Sequence, residues 1–412
     1  MLITCNKISN KKKASFRKEA LGFAFEVYES VSLINKEHWN SIVNFGSEFL
    51  QIPFLTVLEK EHPDNMHFYY AIIYDKSSPI AIAYFQVIDF SSQSFGKIIE
   101  KEDSEFLCVI ADYFKNRVSN HIIKNADKIN MRLLICGNAC ISGEHGLTTI
   151  PSANKIKVID SLVDVIYRIS VTEKIRGKIA AVLVKDFYSN SIEHSRELKD
   201  YKYHDFLVEP NMIVDINWDT FDEYLNAMSK KYRNRAKSIV KKGLGLKRKS
   251  FSAIDIKLNH NLIQQLYDNV HFKASFRMAT LTSNYFAEMK NVLGDNFLFI
   301  AYYYQDIFVG FRSSFFLKNQ VEAHFIGVDY DFNKEFEIYQ NILYDYVKDA
   351  IEMKAQCLIL GRTASEIKST VGAQAHQLTC YIRHQNSFSN VILRPFFDYL
   401  KPAEWIPRNP FK

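Results

Sequence analysis

The amino-acid sequence predicts an α/β (α+β) protein of two tandem domains, each a mixed, mostly antiparallel β-sheet covered by helices. Residues 68–90 and 297–317 each have the pattern of two strands joined by a tight turn. Each pair is followed by alternating helices and strands, and a chain of 412 residues exceeds one ordinary domain. The economical interpretation is a duplication. The alternative is that the two segments are similar only because all β-hairpins share this pattern.

The first half is predicted in two parts. Residues 1–20 are polar and basic, which favours a flexible basic tail. The N-terminal domain is expected over residues 21–205. After its hairpin, with a turn at Asp75–Ser78, the predicted elements are an amphipathic segment at about 104–124, a strand at 131–137, a helix near 158–176 and a strand at 179–187.

The C-terminal domain is expected over residues 206–412, joined to the first near 200–220. It contains a predicted basic helix at 220–242, capped by Asp219 or Thr220. After the hairpin, with its turn at Gln305–Asp306, come a strand at 321–328, a helix at about 335–354, a buried strand at 357–361 and a strand at 378–384.

Composition and charge exclude several classes of protein. The net charge of +6 is small for this length and local, so it favours one anionic site over a surface that coats nucleic acid. No run of eighteen apolar residues is present, which argues against a membrane span. Six scattered cysteines form no closed set of metal ligands. We therefore expect a cytoplasmic protein with reduced thiols and no metal.

The segment SKKYRNRAKSIVKKG (229–243) carries seven Lys or Arg among fifteen residues. Apolar residues at helical spacing predict that one face docks on the core. Arg233 and Arg235 lie in mid-helix with no acidic residue four positions away. Clustered guanidinium groups bind phosphate or carboxylate well, whereas a merely solvated face is the alternative. The candidate binding residues are Lys230, Arg233, Arg235 and Lys237.

This segment resembles the S-K-x-x-R-x-x-x-R/K-x-A-x-K-x-G pattern of GNAT-like acyltransferases of the FemAB superfamily. GRTASEIKSTVGA (361–373) is similar to the family's K-x-x-x-G element and places Lys368 and Gly372 there. The resemblance implies two tandem GNAT-like domains and transfer of an acyl or aminoacyl group to an amine. The donors in that family are acyl-CoA or aminoacyl-tRNA, and the acceptors are often bacterial cell-envelope precursors.

One departure concerns the loop that holds the pyrophosphate of acyl-CoA in typical GNAT domains. The corresponding stretch, VDYDFNKEFEIYQN (328–341), contains no glycine. Backbone N–H groups approach a phosphate most closely where glycine is present. Three explanations are open. The donor binds in a different place from acyl-CoA in typical GNAT domains, with the basic helix supplying charge; or the donor is not CoA; or the activity is lost.

Candidate catalytic groups follow from the predicted strand at 321–328. Glu322 shares a strand face with His324, Asp329 ends the strand, and Tyr339 follows in the next helix. In the resembled fold this strand lies beside the point of transfer, so Glu322 or Asp329 would accept a proton and Tyr339 would donate one. A solvated strand face and a packing tyrosine are the alternatives.

A second set of candidates lies beyond the strand at 357–361, where α/β sheets often place ligands. These residues are Arg362, Thr363 and Lys368. The competing interpretation is an ion pair between Arg362 and Glu366 across one helical turn.

The function predicted from the sequence is N-acyl transfer from acyl-CoA, as co-substrate, to an amine of a small or cell-envelope precursor. One alternative is aminoacyl-tRNA-dependent transfer, which adds tRNA as a partner. Another is a non-catalytic binding protein that keeps the fold. An anionic donor and an amine acceptor are the expected partners, and peripheral contact with a membrane stays open.

Overall fold

The computed structural model describes residues 22–63, 65–90, 131–271, 281–387, 390 and 405–412. The predicted tail at 1–20 and the predicted segment at about 104–124 lie outside these residues. The strands are β1 (Ala24–Tyr28), β2 (Met66–Asp75), β3 (Ser78–Phe90), β4 (Met131–Cys136), β5 (Leu147–Thr149), β6 (Ile179–Tyr188), β7 (His204–Asp215), β8 (Leu246–Ser250), β9 (Phe297–Tyr304), β10 (Ile307–Leu317), β11 (Gln320–Val328), β12 (Cys357–Gly361) and β13 (Gln374–His384).

The helices surround these strands, and in the described part of the chain no helix is long and apolar enough to cross a membrane. They are α1 (Lys36–Val43), α2 (Ile52–Lys60), α3 (Lys155–Thr172), α4 (Ile192–Ser195), α5 (Phe221–Ala227), α6 (Lys230–Lys242), α7 (Ala253–Leu258), α8 (His260–His271), α9 (Ser283–Leu293), α10 (Tyr330–Phe336), α11 (Ile338–Glu352) and α12 (Ser365–Ser369).

Within the described residues, the strands form one continuous sheet. Its order is β1-β2-β3-β4-β6-β13-β7-β12-β11-β10-β9-β8, with β5 paired to β3. Of the pairs between neighbouring strands, β4 with β6 and β11 with β12 are parallel, and the others are antiparallel. Each half is thus a mixed, mostly antiparallel sheet with helices, which confirms the predicted fold class.

The last described strand of the chain pairs with the first half. β7, which comes first in the second half, pairs with β12, while β13 from the end of the chain pairs with β6 of the first half. β7 and β13 also pair with each other and so join the halves. The segment predicted to connect the domains is therefore a central strand, and the predicted boundary between residues 205 and 206 falls inside it. The division into domains stays a prediction.

A shared irregularity supports the duplication. In both β6 and β12 the register with the next strand shifts just beyond the last parallel pair. The backbone is left-handed there, with φ of 67° at Asp186 and 73° at Gly361. A β-bulge at equivalent places in two sheets is a more specific likeness than two hairpins.

The hydrophobic core crosses the junction between the halves on one face of the sheet. The Phe315 ring of β10 packs against Phe49 and Phe54 of the first half, with centroids 5.1 and 5.8 Å apart. On the other face of the second half, Val321 packs in a separate cluster with α5, α6 and α11. Edge-on aromatic contacts of this kind stabilise the junction and fix the strands that meet there.

Two predicted helices are each split in the structure. The basic helix at 220–242 is instead α5 and α6, and Thr220 caps the first of them, as predicted. The break falls at Met228 and Ser229, because the Ser229 N–H donates to the carbonyl of Pro410 at 2.8 Å and Met228 bridges to Phe411. A segment near the chain end thus competes with helical hydrogen bonds.

The helix predicted at 335–354 is divided into α10 and α11. Glu337 between them has φ of 49°, a left-handed conformation that ends one helix before the next begins. The Asn333 side chain accepts the N–H of Tyr339 at 3.0 Å and so satisfies a donor in the first turn of α11.

Candidate active site

The sheet opens where β11 and β12 separate. These strands run parallel over three paired residues, and the last pair is Glu322 with Ile359. β11 continues to Val328, whereas β12 ends at Gly361 and pairs with β7 on its other side. From Ala323 onward, no described strand pairs with this edge of β11, so its backbone groups are available to a ligand.

The equivalent place in the first half is closed. There the last parallel partners of β4 and β6 are Cys136 and Val184. The loop that follows Cys136 then covers the end of these two strands. The Lys185 ammonium donates to the carbonyls of Asn138 at 2.6 Å and Ile141 at 3.1 Å. A buried lysine therefore fixes the loop 137–146 at the point where the second half is open.

Glu322, a predicted catalytic residue, lies at this opening. It is 3% exposed and stands across from Phe315 on the face that packs against the first half. Burial raises its pKa to about 8, and among the described residues no group donates a hydrogen bond to its carboxylate. Such a group takes up and releases a proton near neutral pH.

Polar side chains from three other elements lie near Glu322. Burial and the charge of Glu322 raise the pKa of Tyr188 to about 12, against the opposing effect of a hydrogen bond. That bond comes from the Asn211 amide, 2.8 Å from the Tyr188 hydroxyl, and Ser142 donates to the Asn211 oxygen at 3.2 Å. The sequence reasoning missed Tyr188, Asn211 and Ser142, because each belongs to the first half or to the join.

Arg362 turns toward the first half. Its guanidinium pairs with the buried Asp186, while Glu366 pairs with Arg408. The alternative ion pair between Arg362 and Glu366 is therefore wrong. Burial alone would raise the pKa of Asp186, but the charges of Lys185 and Arg362 outweigh it and hold the pKa below its usual value.

Lys368 and Thr363 occupy different positions in the same loop. The Lys368 ammonium is buried and donates to the carbonyl of Gly361 at 3.2 Å and to that of Arg362. Burial lowers its pKa to about 7. Thr363 is exposed with φ of 64°. Lys368 thus holds the backbone that carries Arg362, and its binding role stays a prediction.

Asp329 and Tyr339 lie apart from Glu322. Asp329 begins α10 and accepts the N–H of Asp331 at 3.0 Å. It lies seven positions after Glu322, a distance of about 23 Å along a strand. Tyr339 packs in the cluster that contains Val321, on the opposite face of the sheet from Glu322. Burial raises its pKa to about 12. The structure does not bring the three predicted catalytic residues together.

A further polar group missed by the sequence reasoning is Ser314 of β10. It is fully buried and pairs with Ala323 at the start of the free edge. Its hydroxyl has no hydrogen-bond partner in the described part of the chain. Because strand residues alternate, it lies on the α11 side of the sheet. A buried hydroxyl without a partner is a candidate contact for a ligand.

One backbone donor in the first turn of α11 is already satisfied, because Asn333 accepts the Tyr339 N–H. Glu337, which precedes the helix, pairs with Lys242 and accepts a hydrogen bond from the Gln340 amide. Residues 328–341, which contain no glycine, thus form a short helix and a left-handed turn in place of a glycine-rich loop.

The basic helix α6 displays its cations as predicted. Ala236 and Ile239 are buried, whereas Lys230, Arg235 and Lys237 are exposed. Arg235 reaches the Gln340 amide oxygen of α11 at 3.4 Å.

Arg233 and Lys242 of α6 differ in their partners. Arg233 is half-buried and reaches the Asn226 carbonyl at 3.5 Å, and no described carboxylate lies within 4 Å of it. Lys242 pairs with Glu337 at 3.1 Å. Gly243 ends the helix where it meets α11, and a Cβ there would lie 2.3 Å from the Asn341 oxygen.

Among the described residues, no group of three or more His, Cys, Asp or Glu side chains is placed to hold a metal ion. The four described cysteines, Cys136, Cys140, Cys357 and Cys380, carry free thiols. Burial raises the pKa of Cys140 to about 12, so this thiol is a poor nucleophile.

Two solved structures share this architecture. FemX matches with a TM-score of 0.53 and 11% identity, over 88% of this chain and 98% of that one. A tandem GNAT protein from the clavulanic acid biosynthesis pathway matches with a TM-score of 0.51 and 6% identity, over 88% and 99%. No family model and no curated protein matches the sequence. The chain thus has the FemAB-like tandem GNAT fold, and identity this low shows the fold alone.

Proposed function

We propose that this protein is an N-acyltransferase whose reaction takes place where β11 and β12 separate. The observation that carries the proposal is the position of Glu322. This buried carboxyl, with a pKa of about 8, lies at the open end of the parallel pair β11–β12, whereas the equivalent end of β4–β6 is closed. Catalytic acids and bases have pKa values close to the working pH, and burial is a common way to reach them.

The proposed reaction needs one proton transfer. The acceptor amine attacks the carbonyl carbon of an activated acyl donor, so that a C–N bond forms and the carbonyl oxygen gains negative charge. Ionised Glu322 takes a proton from the amine nitrogen. The bond from the carbonyl carbon to the leaving group then breaks, and that group departs with the electron pair and takes up the same proton from Glu322, which regenerates the ionised carboxylate.

The opening also suggests how the charged oxygen is stabilised. The free edge of β11 presents backbone N–H groups, and the buried Ser314 hydroxyl lies beside its first residue. Donors fixed in a water-poor site stabilise developing negative charge more than they do in water. In this proposal the donor approaches from the α11 side and the amine from the side of Glu322, Tyr188 and Asn211.

An acyl-CoA donor, the expectation from the sequence, finds no glycine-rich loop before α11. The Tyr339 N–H in the first turn of this helix is already bound to Asn333 and is not free for a pyrophosphate. An aminoacyl-tRNA is the second candidate donor. Its support is the exposed cations of α6 together with Lys247 of the edge strand β8, whereas Arg248 and Lys249 of that strand pair with Asp345 and Asp255.

Transfer assays test both parts of the proposal. The purified protein is incubated with primary amines and either acyl-CoA thioesters or charged tRNA, and the amide product is quantified. Glu322→Gln is expected to lower the rate about 10²–10⁴-fold, the usual contribution of a general base. The control Glu335→Gln removes an exposed carboxylate of α10 and is expected to retain the rate.

The donor is identified by which substrate yields product and by its salt dependence. Binding of tRNA is expected to weaken steeply between 50 and 200 mM salt, on the order of 10³-fold if about six phosphates are contacted. A Glu322→Gln variant that transfers as fast as the parent would exclude Glu322 as the base. A protein that forms no amide with either donor class would contradict the proposed activity.

A further inference from the structure

The proposed reaction does not use the charged cluster of Lys185, Asp186 and Arg362. The Lys185 ammonium is fully occupied by Asn138, Ile141 and the Asp186 carboxylate at 2.8 Å. Against the effect of burial, the charges of Asp186 and Glu209 raise the pKa of Arg362. Of the two cations, only Arg362 has donors that are not taken up within the described part of the chain.

Arg362 has capacity left for a ligand. One terminal nitrogen pairs with Asp186, but the Nε group has no acceptor in the described residues. The side chain is 21% exposed, so solvent reaches part of it. A buried guanidinium N–H without an acceptor costs free energy, and such groups usually find one when a ligand binds.

The backbone around Arg362 is held in an unusual conformation. Gly361, Thr363 and Ala364 have φ of 73°, 64° and 50°, so three of four successive residues are left-handed. Lys368 secures this turn by donating to the carbonyls of Gly361 and Arg362. Strained turns that the surrounding structure holds in place often position functional groups.

Resting on the proposed function, we infer that Arg362 binds a carboxylate of the amine acceptor. A guanidinium accommodates a carboxylate in a planar, two-point contact. The acceptor class is therefore an amine that also carries a carboxylate.

The geometry sets the spacing of these two groups. Ile359 stands beside Glu322 in the last parallel pair, and Arg362 follows three residues later. Three residues of chain span at most about 10 Å, and the left-handed Gly361 shortens this span. An acceptor that reaches both groups has its amine and carboxylate separated by several bonds, as in a lysine side chain or a short peptide.

Two matched probes test this binding without the donor. 6-Aminohexanoate and 6-aminohexanamide have the same length and the same amine, and they differ in the carboxylate. We expect the parent protein to bind the acid about tenfold or more tightly than the amide, as a charge-assisted hydrogen bond implies, measured by ligand-observed NMR. Arg362→Gln is expected to remove this preference, and Arg362→Lys to reduce it.

The control is Arg383→Gln, which changes another half-buried arginine that contacts a backbone carbonyl. It is expected to keep the preference for the acid. Equal binding of acid and amide by the parent, or an unchanged preference in folded Arg362→Lys, would overturn the inference. Arg362→Lys retains the charge beside Asp186 and so provides a folded variant if Arg362→Gln unfolds.

The same experiment separates this inference from the proposed activity. Glu322→Gln is expected to lose transfer while keeping the preference for the acid over the amide, because the proposed contact between Arg362 and the carboxylate is unchanged. If acid and amide are distinguished but no variant transfers an acyl group, the binding site stands and the proposed function fails. If transfer occurs with equal preference for both amines, the proposed function stands and the carboxylate site is wrong.

Discussion

Replacing Glu322 by Gln is expected to make the protein more stable at alkaline pH. The pKa of this carboxyl is about 8 in the folded protein, against an ordinary value of 4.5 in the unfolded chain. Between these values the folded state binds more protons than the unfolded state, so its stability falls as the pH rises. Above pH 8 the full cost is about 5 kcal/mol, from about 1.4 kcal/mol for each pH unit between the two pKa values.

Gln has nearly the same shape as protonated Glu and does not ionise. The variant and the parent are therefore expected to have similar free energies of unfolding at pH 5. Their difference is expected to grow by up to about 5 kcal/mol at pH 9. Other buried groups, such as His145 with a pKa lowered to about 4 by burial, contribute equally to both proteins and cancel in the comparison.

Urea unfolding at pH 5, 7 and 9, followed by tryptophan fluorescence, measures this difference. Glu335→Gln is again the control, since its exposed side chain is expected to change stability little at any pH. A difference between Glu322→Gln and the parent that stays constant from pH 5 to pH 9 would refute the reasoning. It would mean that the carboxyl ionises in the folded protein as it does in water.

Two further predictions concern α6 and the contact of the chain end. Arg233→Ala is expected to weaken binding of an anionic donor by roughly 1.5–3 kcal/mol with little change in melting temperature. Lys242→Ala is expected to bind like the parent, because the Lys242 ammonium pairs with Glu337. Equal affinities of both variants and the parent would show that the basic face of α6 is only solvated. Gly372→Ala is expected to lower the melting temperature, because φ is 94° and the new Cβ would lie 2.3 Å from the Phe411 ring. Phe411→Ala in the same chain is expected to relieve part of that loss, and an unchanged melting temperature of Gly372→Ala would contradict the packing.

Local pattern sufficed for much of the second half. The hairpin at 297–317 and the buried strand at 357–361 are observed as predicted, since alternation and turn residues act over a few positions. Glu322 was identified from its alternation with His324 along a predicted strand, and from the place of that strand in the resembled fold. What a strand pairs with is not local, and so the pairing of β13 with β6 and with β7 was not predicted.

Several residues of the site were not predicted for the same reason. Lys185 and Asp186 interrupt an otherwise apolar strand, IAAVLVKDF, and two charges inside such a strand need partners. That signal was present, but their partner Arg362 lies far along the chain. The break at Met228 was equally hidden, because it depends on residues 410 and 411, which pair with it in space.

The duplication explains why the site needs both halves. Asp186 and Gly361 occupy the same bulge in the two halves, with nearly equal φ. Gly361, without a side chain, leaves room at the opening, and a Cβ built there would meet only Ser142 within 4 Å. Asp186 instead extends a carboxylate that, with Lys185, holds the loop 137–146 over its own half and pairs with Arg362 of the other. A buried carboxylate without cations is unfavourable, and so is a buried Arg362 without an anion. The first half is thus closed by groups that also position a binding residue for the second, which ties the proposed site to the joined sheet rather than to either half alone.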